Sequence, residues 1–334
     1  MNTHCPEISV IMAVYNGAQH LKESIDSILQ QSFSNFEFII VNDGSTDESE
    51  KIILSYKDRR IKMINKEHSG LADSLNKGAE AASSPWLARQ DADDISDSNR
   101  LETQIAIVRK NPDLVLVGTK HNIIIDNETK DLPYAVFTDD YTLRLTLPIE
   151  CQFCHGSVIM QSNAFKKAGK YNTSYSCAQD YDLWCRLAHL GKIANVPSVM
   201  YSLRHHNKRI TVMHNKKQNQ LKHSISRKAI QHWLKLPKGF NLLLQEQKEN
   251  VLLTEQQKER FISLLTRLAA ILIIHDHHQL AELALIKANS YEKASLKRAL
   301  ILKLNKLSPS ICKKLVLVYA KYRPHLSVYL QKPT

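Results

Sequence analysis

Apolar residues in the first 95 positions follow two patterns, short continuous runs and segments with helical spacing. A continuous run is typical of a strand buried on both faces, whereas apolar residues three or four apart indicate an amphipathic helix. We therefore predict strands at 8–14, 36–41, 61–64 and 86–88, with helices at 21–29, 46–56 and 70–82. Alternating strands and helices predict an α/β fold with a doubly wound, mostly parallel sheet.

The pattern changes beyond residue 112. We predict a strand pair at 114–118 and 122–126, placed as a hairpin, then a strand at 156–160, a helix at 180–190 and a strand at 199–205. Helical spacing dominates from residue 215, at 223–233, 255–274, 279–288, 296–304 and 310–322. The expected organisation is an α/β domain over 1–212, with halves 1–112 and 113–212, followed by a helical region over 213–334.

Charge separates the two parts of the chain. The net charge is +12, but residues 1–200 hold 20 Lys and Arg against 26 Asp and Glu, while residues 201–334 hold 25 against 7. A positive excess of this kind attracts polyanions, such as nucleic acid or an anionic membrane surface. The alternative is a solvated cationic face of the helices.

Neither a membrane-spanning helix nor a signal peptide is predicted. The apolar run 268–274 is shorter than the roughly 20 residues that cross a bilayer, and the first residues lack a basic segment followed by a long apolar one. The six cysteines are scattered, which is typical of a reducing compartment. We therefore expect a cytoplasmic protein.

One cysteine pattern leaves alternatives open. Cys151 and Cys154, followed by His155, match the C-x-x-C-H form of covalent haem attachment, which requires export. A zinc site that adds Cys177 and Cys185 is a second alternative, although the eight-residue spacing of that pair is unusual for zinc.

Polar residues follow three of the predicted strands. Tyr15 and Asn16 come after the first strand, Asp43 after the second, and the acidic segment 91–94 after the fourth. Ligands of open α/β sheets bind at the carboxyl ends of the strands, so we expect these residues to line one crevice. The chain has neither a Gly-x-Gly-x-x-Gly turn nor a Walker A sequence after a strand. A metal ion is therefore the expected partner of a bound phosphate group.

The candidate metal ligands are Asp91 and Asp93, a D-x-D pair. Carboxylate oxygens are the ligands that Mg²⁺ and Mn²⁺ prefer, and Mg²⁺ often takes one or two of them together with substrate phosphates. The alternative is that Asp94 or Asp97 caps the helix that begins near Asn99.

Two later segments carry further candidates. Asp180 lies at the start of a predicted helix, where it serves either as a general base or only as a cap. The run Arg204-His205-His206 follows a predicted strand, and one of its histidines is a candidate for binding metal or diphosphate, the alternative being a structural histidine.

Taken together, these residues resemble glycosyltransferase family 2, the inverting nucleotide-sugar enzymes of the GT-A fold. The resemblance covers roughly residues 8–211 and is strong because four motifs occur in the family's order. The segments are Ser9-Val10-Ile11-Met12-Ala13-Val14-Tyr15-Asn16, Ile39-Ile40-Val41-Asn42-Asp43-Gly44-Ser45-Thr46-Asp47, Arg89-Gln90-Asp91-Ala92-Asp93-Asp94, and Gln179-Asp180-Tyr181-Asp182-Leu183-Trp184 with the later Arg204-His205-His206. One departure is Gln179, where the family usually has Glu.

The resemblance implies a role for each matching residue. The expected donor-binding residues are Ala13, Tyr15, Asn16, Asp43, Arg89 and Asp91; Tyr15 and Asp43 would hold the base, and Asp91 the ribose. Arg89 is included on its position beside the crevice, where its charge would offset that of a diphosphate. Asp93 and His206 would bind Mn²⁺ or Mg²⁺, Asp180 would deprotonate the acceptor hydroxyl, and His155, Gly156 and Trp184 would lie on the acceptor side.

The implied activity is transfer of a sugar from a nucleoside diphosphate, with UDP and a hexose or N-acetylhexosamine expected by family habit. The implied acceptor is a lipopolysaccharide, a capsule or another surface glycan, or a lipid-linked precursor. The basic C-terminal region would then lie on the anionic inner face of the cytoplasmic membrane, and no nucleic acid is expected as a partner. Two alternatives stay open: a non-catalytic membrane- or nucleic-acid-binding protein on a degenerate scaffold, and a metal-dependent nucleotidyltransferase, which would release pyrophosphate.

Overall fold

The structure, a computed structural model, describes residues 5–132, 136–205, 215–235, 244, 253–274, 276–290, 298, 301–302, 305 and 308–321. The chain divides into two compact units. The first comprises residues 1–140 and 153–221, and the second comprises residues 141–152 and 222–334.

The first unit is built on one mixed sheet. Its strands are β1 (Ile8–Val14), β2 (Phe36–Asp43), β3 (Ile61–Lys66), β4 (Trp86–Arg89), β5 (Ile95–Ser96), β6 (Leu114–Ile125), β7 (Glu128–Asp131), β8 (Ile159–Gln161) and β9 (Lys192–Arg204). They are ordered β3-β2-β1-β4-β8-β6-β9-β5, and β7 pairs with β6. The α/β fold with a mostly parallel first half is therefore confirmed, since β1, β2, β3 and β4 pair in parallel.

Helices connect the strands of the first unit, and further helices form most of the second unit. In chain order they are α1 (Ala18–Leu29), α2 (Ser49–Ser55), α3 (Leu71–Ala81), α4 (Arg100–Lys110), α5 (Asp140–Thr146), α6 (Ser162–Lys167), α7 (Gln179–Leu187), α8 (Asn215–Lys235), α9 (Glu255–Ile274), α10 (His278–Asn289) and α11 (Pro309–Lys321). Every residue of β1 and β2 is buried, as the continuous apolar runs predict. The helix α1 buries Leu21, Ile25 and Ile28, the residues with helical spacing.

The predicted hairpin at 114–126 is wrong. These residues form the single strand β6, and shifts in its register with β9 accommodate the polar residues around Lys120. The turn comes later, at Asp126 and Asn127, which have φ angles of 51° and 64°. Aspartate and asparagine adopt this left-handed backbone more readily than other non-glycine residues, so they make the hairpin that leads into β7.

Other differences are smaller. Residues His155–Ser157 form a short 3₁₀ helix, and the strand predicted at 156–160 is shortened to β8. The elements β5, β7, α5 and α6 were not predicted. The helix predicted at 296–304 falls mostly outside the described residues.

The second unit consists of helices around residues 141–152. The central helix α9 buries Phe261, Leu265, Leu268 and Leu272, and it packs against α10 and α11. The segment 141–152 is held there by Ser226, which donates to the carbonyl of Pro148 at 2.6 Å, and by Glu150, which accepts from Arg260 and Arg267 at 3.3 Å. Within the described part of the chain, no helix combines the length and the apolar composition that crossing a bilayer requires.

Candidate active site

Three parallel strands end at one edge of the sheet. The register pairs Val14 with Asn42 and Ile11 with Arg89, so the segments after β1, β2 and β4 leave the sheet side by side. The expected common edge for Tyr15, Asp43 and the acidic segment is confirmed. Such an edge is where ligands of open α/β sheets bind.

The turn after β1 is tied to the loop after β2. Asn16 has a φ of 51°, and its Oδ1 accepts from the Thr46 amide at 2.8 Å while its own amide donates to Ser45 Oγ at 3.0 Å. This arrangement leaves Tyr15 48% exposed, with its ring stacked on His68 at a centroid distance of 4.0 Å. The site therefore has an aromatic surface at this end of the edge. Ala13 lies in β1 below it and is almost fully covered.

Asp43 is enclosed by protein donors. Its carboxylate contacts Lys66 Nζ at 2.6 Å and His68 Nδ1 at 2.9 Å, and it accepts from the amides of Ser69 and Gly70 at 3.0 and 2.9 Å. Burial alone would raise the pKa of Asp43, but the hydrogen bonds from Lys66 and the two amides outweigh it and hold the pKa below its ordinary value. Since Asp43 is only 3% exposed, the groups presented outward are those that it holds, above all His68.

The acidic segment 91–94 is anchored by a buried glutamine. Gln90 Nε2 donates to Ser24 Oγ at 3.0 Å and to the carbonyl of Asp94 at 2.9 Å, and Gln90 Oε1 accepts from Ser96 Oγ at 2.6 Å. One amide side chain therefore spans the segment and connects it to α1 and β5. Asp91 and Asp93 are partly exposed, whereas Asp94 is fully buried.

Arg89, which was expected beside a bound diphosphate, has a buried side chain. Its side chain is 1% exposed and is bound to the Asp91 carboxylate and to the carbonyl of Gln90. Burial acts to lower the pKa of Arg89, but the charge of Asp91 outweighs it and raises the pKa. In this position Arg89 holds the carboxylate of Asp91, and its contact with a diphosphate stays a prediction.

The carboxylates of this segment fit a divalent cation that takes its other ligands from substrate. Among the described residues, no group of three or more His, Cys, Asp or Glu side chains is arranged to enclose a metal. Mg²⁺ does not require such a cage, because it commonly binds one or two carboxylates with phosphates and water. Asp93, with Asp91 two residues before it, is partly exposed and is a candidate for such a cation. The zinc alternative gains no support, since the four cysteines that it needs are all described and form no such group, and His206 lies outside the described residues.

An aromatic cluster of His155, Tyr171 and Trp184 lies near Asp180, whose charge acts on the first two residues. His155 Nε2 lies 3.0 Å from Tyr171 Oη, and Trp184 makes edge contacts with both rings. Burial, with Arg89 as a second cause, lowers the pKa of His155, which favours the neutral imidazole. Trp184 is fully buried, so it supports these rings and offers no surface to an acceptor.

Asp180 itself lies in the first turn of α7 and is partly exposed. The residue before the helix, Ala178, has a φ of 57°, which turns the chain sharply into α7. The first turn of a helix favours a carboxylate, because the helix dipole is positive there. Gln179 is 5% exposed, and its Oε1 has no hydrogen-bond partner among the described residues.

Four residues of this site were not predicted from sequence: Lys66, His68, Tyr171 and Tyr201. Lys66 ends β3, a third strand of the same edge, and His68 follows two residues later. The sequence marks the polar residues at the ends of β1, β2 and β4 as candidates. The same criterion, applied to the end of β3, would have identified Lys66 and His68. Tyr201 lies 110 positions from Asp91, whose amide donates to its hydroxyl group, and no local pattern marks Tyr201 or Tyr171.

The fold of the chain resembles those of solved structures that contain nucleotide sugars. It is similar to the Staphylococcus aureus TarS 1–349 structure in complex with UDP-GlcNAc, with a TM-score of 0.60 at 16% identity over 95% of this chain and 92% of that one. A mannosyltransferase from Pyrobaculum calidifontis, PcManGT in complex with GDP-Man and Mn²⁺, gives a TM-score of 0.57 at 19% identity over 98% and 86%. These similarities establish a GT-A fold.

Sequence comparison identifies the family. Residues 9–168 match Glycosyl transferase family 2. An uncharacterized glycosyltransferase of Haemophilus influenzae is 32% identical over 69% of this chain and 75% of its own length, and the O-antigen biosynthesis glycosyltransferase WbnJ of Escherichia coli is 35% identical over 54% and 71%. The chain belongs to glycosyl transferase family 2 and is a glycosyltransferase, as the motifs predicted.

Proposed function

We propose that this protein transfers a sugar from a nucleoside diphosphate to a hydroxyl group of a glycan or lipid-linked acceptor, with inversion at the anomeric carbon. The observation that carries the proposal is the common edge of β1, β2 and β4, with an aromatic surface at Tyr15 and two partly exposed carboxylates at Asp91 and Asp93. An aromatic surface suits a nucleobase, and carboxylates suit a cation bound to phosphate.

For the donor, we propose a UDP-hexose or UDP-N-acetylhexosamine. The TarS complex contains UDP-GlcNAc and the PcManGT complex contains GDP-Man, so neighbours of this fold accept either carrier. In our assignment Tyr15 and His68 contact the base, and Asp43 holds His68 through its carboxylate. Asp91, oriented by Arg89, binds the ribose.

Asp93 would hold Mn²⁺ or Mg²⁺ together with the donor diphosphate, and His206 is a proposed second ligand. When bound, such an ion stabilises the negative charge that develops on the departing nucleoside diphosphate. PcManGT was solved with Mn²⁺, which supports a divalent ion in this fold.

Asp180 is the proposed general base. It would accept the proton of the acceptor hydroxyl while that oxygen forms a bond to the anomeric carbon and the bond to the diphosphate breaks. The attack comes from the face opposite the leaving group, so one displacement inverts the configuration. His155 and Gly156 would line the acceptor side, and the neutral imidazole favoured for His155 adds no positive charge that would compete for the carboxylate of Asp180.

The first experiment is a binding screen. We expect one of UDP-, GDP-, CDP- or dTDP-sugar to raise the melting temperature in a Mn²⁺-dependent manner, because a ligand of the native state stabilises it by mass action. Release of a nucleoside diphosphate in the presence of an acceptor would support the transferase, whereas release of pyrophosphate would indicate a nucleotidyltransferase. A protein that binds none of the four would contradict the proposal.

For the acceptor, we propose a surface glycan precursor held at an anionic membrane. The O-antigen relative supports the first part, and the positive charge of residues 201–334 supports the second. The helix α11 exposes Ile311 and Leu315, each 52% accessible, beside the exposed Lys314. Apolar residues next to basic ones are typical of helices that bind the membrane interface.

This membrane contact can be tested by sedimentation with vesicles. The double variant Ile311→Asp, Leu315→Asp should lose binding to vesicles that contain phosphatidylserine, and neither protein should bind pure phosphatidylcholine. Ile286→Asp is the matched control, because Ile286 is 46% exposed on a different helix, α10. Equal binding by the double variant and the wild type would contradict α11 as the contact.

A further inference from the structure

The acidic segment 91–94 is held by a tyrosine that comes late in the sequence of the first unit. Tyr201, on β9, is 1% exposed. Its Oη accepts from the amide of Asp91 at 3.2 Å and donates to Asp94 Oδ2 at 3.0 Å. One hydroxyl group therefore bridges the first and last residues of the segment 91–94 and fixes the distance between them.

Gly156 and Arg100 pack closely around the Tyr201 side chain. Gly156 faces it so closely that a Cβ at this position would lie 1.8 Å from Tyr201 Oη and 2.9 Å from Asp91 Oδ2. Arg100 covers the phenol ring at 5.7 Å and donates to the carbonyl of Gly156 at 3.2 Å. Position 156 therefore requires glycine, because its backbone lies so close to Tyr201 Oη. The Arg100 side chain contacts both Gly156 and Tyr201.

The strand β9 contributes a second support. The Arg204 amide donates to Asp94 Oδ1 at 2.8 Å, and Arg204 Nε donates to the carbonyl of Asp93 at 3.1 Å. The Arg204 side chain is held in turn by Glu23 of α1 at 2.6 Å. Both oxygens of Asp94 are therefore occupied by donors from β9.

The helix α1 supports the same segment from the opposite side. Ser24 Oγ donates to the carbonyl of Asp91 at 2.6 Å. The backbone of the segment is consequently fixed at Asp91 from both sides and at Asp93 by Arg204, while the side chains of Asp91 and Asp93 stay partly exposed. Supports of this kind orient ligating groups and tune their affinity.

We propose that Tyr201 and Asp94 form a positioning clamp that sets the orientation of Asp91 toward the donor ribose and of Asp93 toward the donor diphosphate and its cation. This inference rests on the proposed function. The three carboxylates of the segment then have different roles, since Asp94 binds the protein and the other two face the crevice.

The test removes one oxygen atom. In Tyr201→Phe, we expect the Mn²⁺ concentration at half-saturation of nucleotide binding to rise about tenfold or more, the size of effect that loss of a supporting partner has on metal affinity. Hydrogen exchange of the peptide that covers residues 90–94 should accelerate, because the amide of Asp91 loses its acceptor. At saturating Mn²⁺, the loss of turnover in Tyr201→Phe should be smaller than its loss of Mn²⁺ affinity.

Tyr56→Phe is the matched control. Tyr56 also donates to an aspartate, Asp26 Oδ1, at 2.8 Å, but both residues lie outside the site. The control should leave the metal midpoint and the exchange of residues 90–94 unchanged. Ser24→Ala, which loosens the same segment from α1, should shift both readouts in the direction of Tyr201→Phe and provides the comparison if the tyrosine variant does not fold.

Two outcomes would overturn the clamp: a lower melting temperature of Tyr201→Phe with unchanged metal midpoint and unchanged exchange, or equal shifts in Tyr56→Phe. Failure of the proposed function gives a different result, since the wild type would then show no metal-dependent nucleotide binding. The exchange measurement requires no ligand, and it still decides whether Tyr201 fixes the segment.

Discussion

Carboxylates lie at both edges of the parallel part of the sheet, but they differ in how far protein donors enclose them. Near the amino end of β2, Glu37 accepts from Ser9 Oγ at 2.6 Å, from the Ser83 amide at 2.8 Å and from Lys62 Nζ at 2.6 Å. At the carboxyl end, Asp91 and Asp93 keep partly exposed side chains, and hydrogen bonds from Ser24 and Arg204 fix their backbone carbonyls. A carboxylate enclosed by donors stabilises the fold, whereas a partly exposed one on a fixed backbone can still bind a ligand.

Asp43 shows that position at the carboxyl edge does not by itself make a carboxylate available. Lys66, His68 and the amides of Ser69 and Gly70 surround it, much as Glu37 is surrounded at the other end. Its contribution to the site is the placement of His68 against Tyr15. Two predictions test the distinction between available and enclosed carboxylates, and a third tests the aromatic surface beside them. They are given in order of expected effect.

The largest effect is expected from the carboxylates assigned to chemistry. Asp93→Ala and Asp180→Ala should each lower transfer by about a thousandfold, since a positioned base contributes roughly 10²–10⁴-fold and charge stabilisation a similar amount. Calorimetry should show that Asp93→Ala weakens Mn²⁺-dependent donor binding, whereas Asp180→Ala leaves it largely intact. Equal loss of donor binding in both variants would contradict the assigned roles.

Glu37→Gln should change stability and leave turnover per folded molecule as it is. Burial would raise the pKa of Glu37, but hydrogen bonds from Lys62, Ser9 and Ser83 outweigh it and lower the pKa from 4.5 to about 2. That shift corresponds to about 3 kcal/mol of unfolding free energy, fully present above pH 4.5 and lost as the pH falls towards 2. Urea unfolding at several pH values should show this acid dependence in the wild type and its reduction in the variant.

The control for this prediction is Glu80→Gln. Glu80 forms an ion pair with Lys170 at 2.7 Å, but both side chains are exposed. Exposed pairs contribute about 0–1 kcal/mol, so the control should unfold almost as the wild type does. If both variants lose the same stability, enclosure is not what distinguishes Glu37.

The smallest effect concerns the aromatic surface. Tyr15→Ala should weaken nucleotide binding about tenfold, because stacking of a base on an aromatic ring contributes ~1–3 kcal/mol. Tyr15→Phe keeps the ring and should retain most of the affinity. Fluorescence titration with the nucleoside diphosphate would compare the three proteins, and a loss of the same size in Tyr15→Phe would assign the contact to the hydroxyl group.

The sequence predicted the first half of the sheet well, because β1, β2 and β4 are largely buried and consist mostly of apolar residues. It also predicted which strand ends meet, since parallel strands share an edge. The two-residue strand β5 gave no pattern of its own, because it exists only through its pairing with Tyr201 and Ser202 of β9. A strand this short cannot be predicted from its composition, because only its pairing with a distant strand makes it a strand.

The motifs predict residue types at the candidate site but not the exposure of their side chains. Arg89 and Trp184 match motifs, yet both are buried, because the motif letters do not say which side chains turn into the protein. Tyr201 lies 110 positions from Asp91, so its role depends on a strand pairing that no local pattern reveals. The supports of a site are harder to predict than its ligands, since they can come from any element that packs against it.

The assignment of residues 141–152 to the second unit has a consequence for synthesis. This segment leaves the ribosome well before the helices of its unit, and its apolar residues Tyr141, Leu143, Leu145 and Leu147 are buried in the folded chain. The nascent chain must therefore carry an uncovered apolar stretch until α9 has been translated, a state that exposes it to aggregation or chaperone binding. A truncated protein that ends near residue 221 would remain in that state permanently.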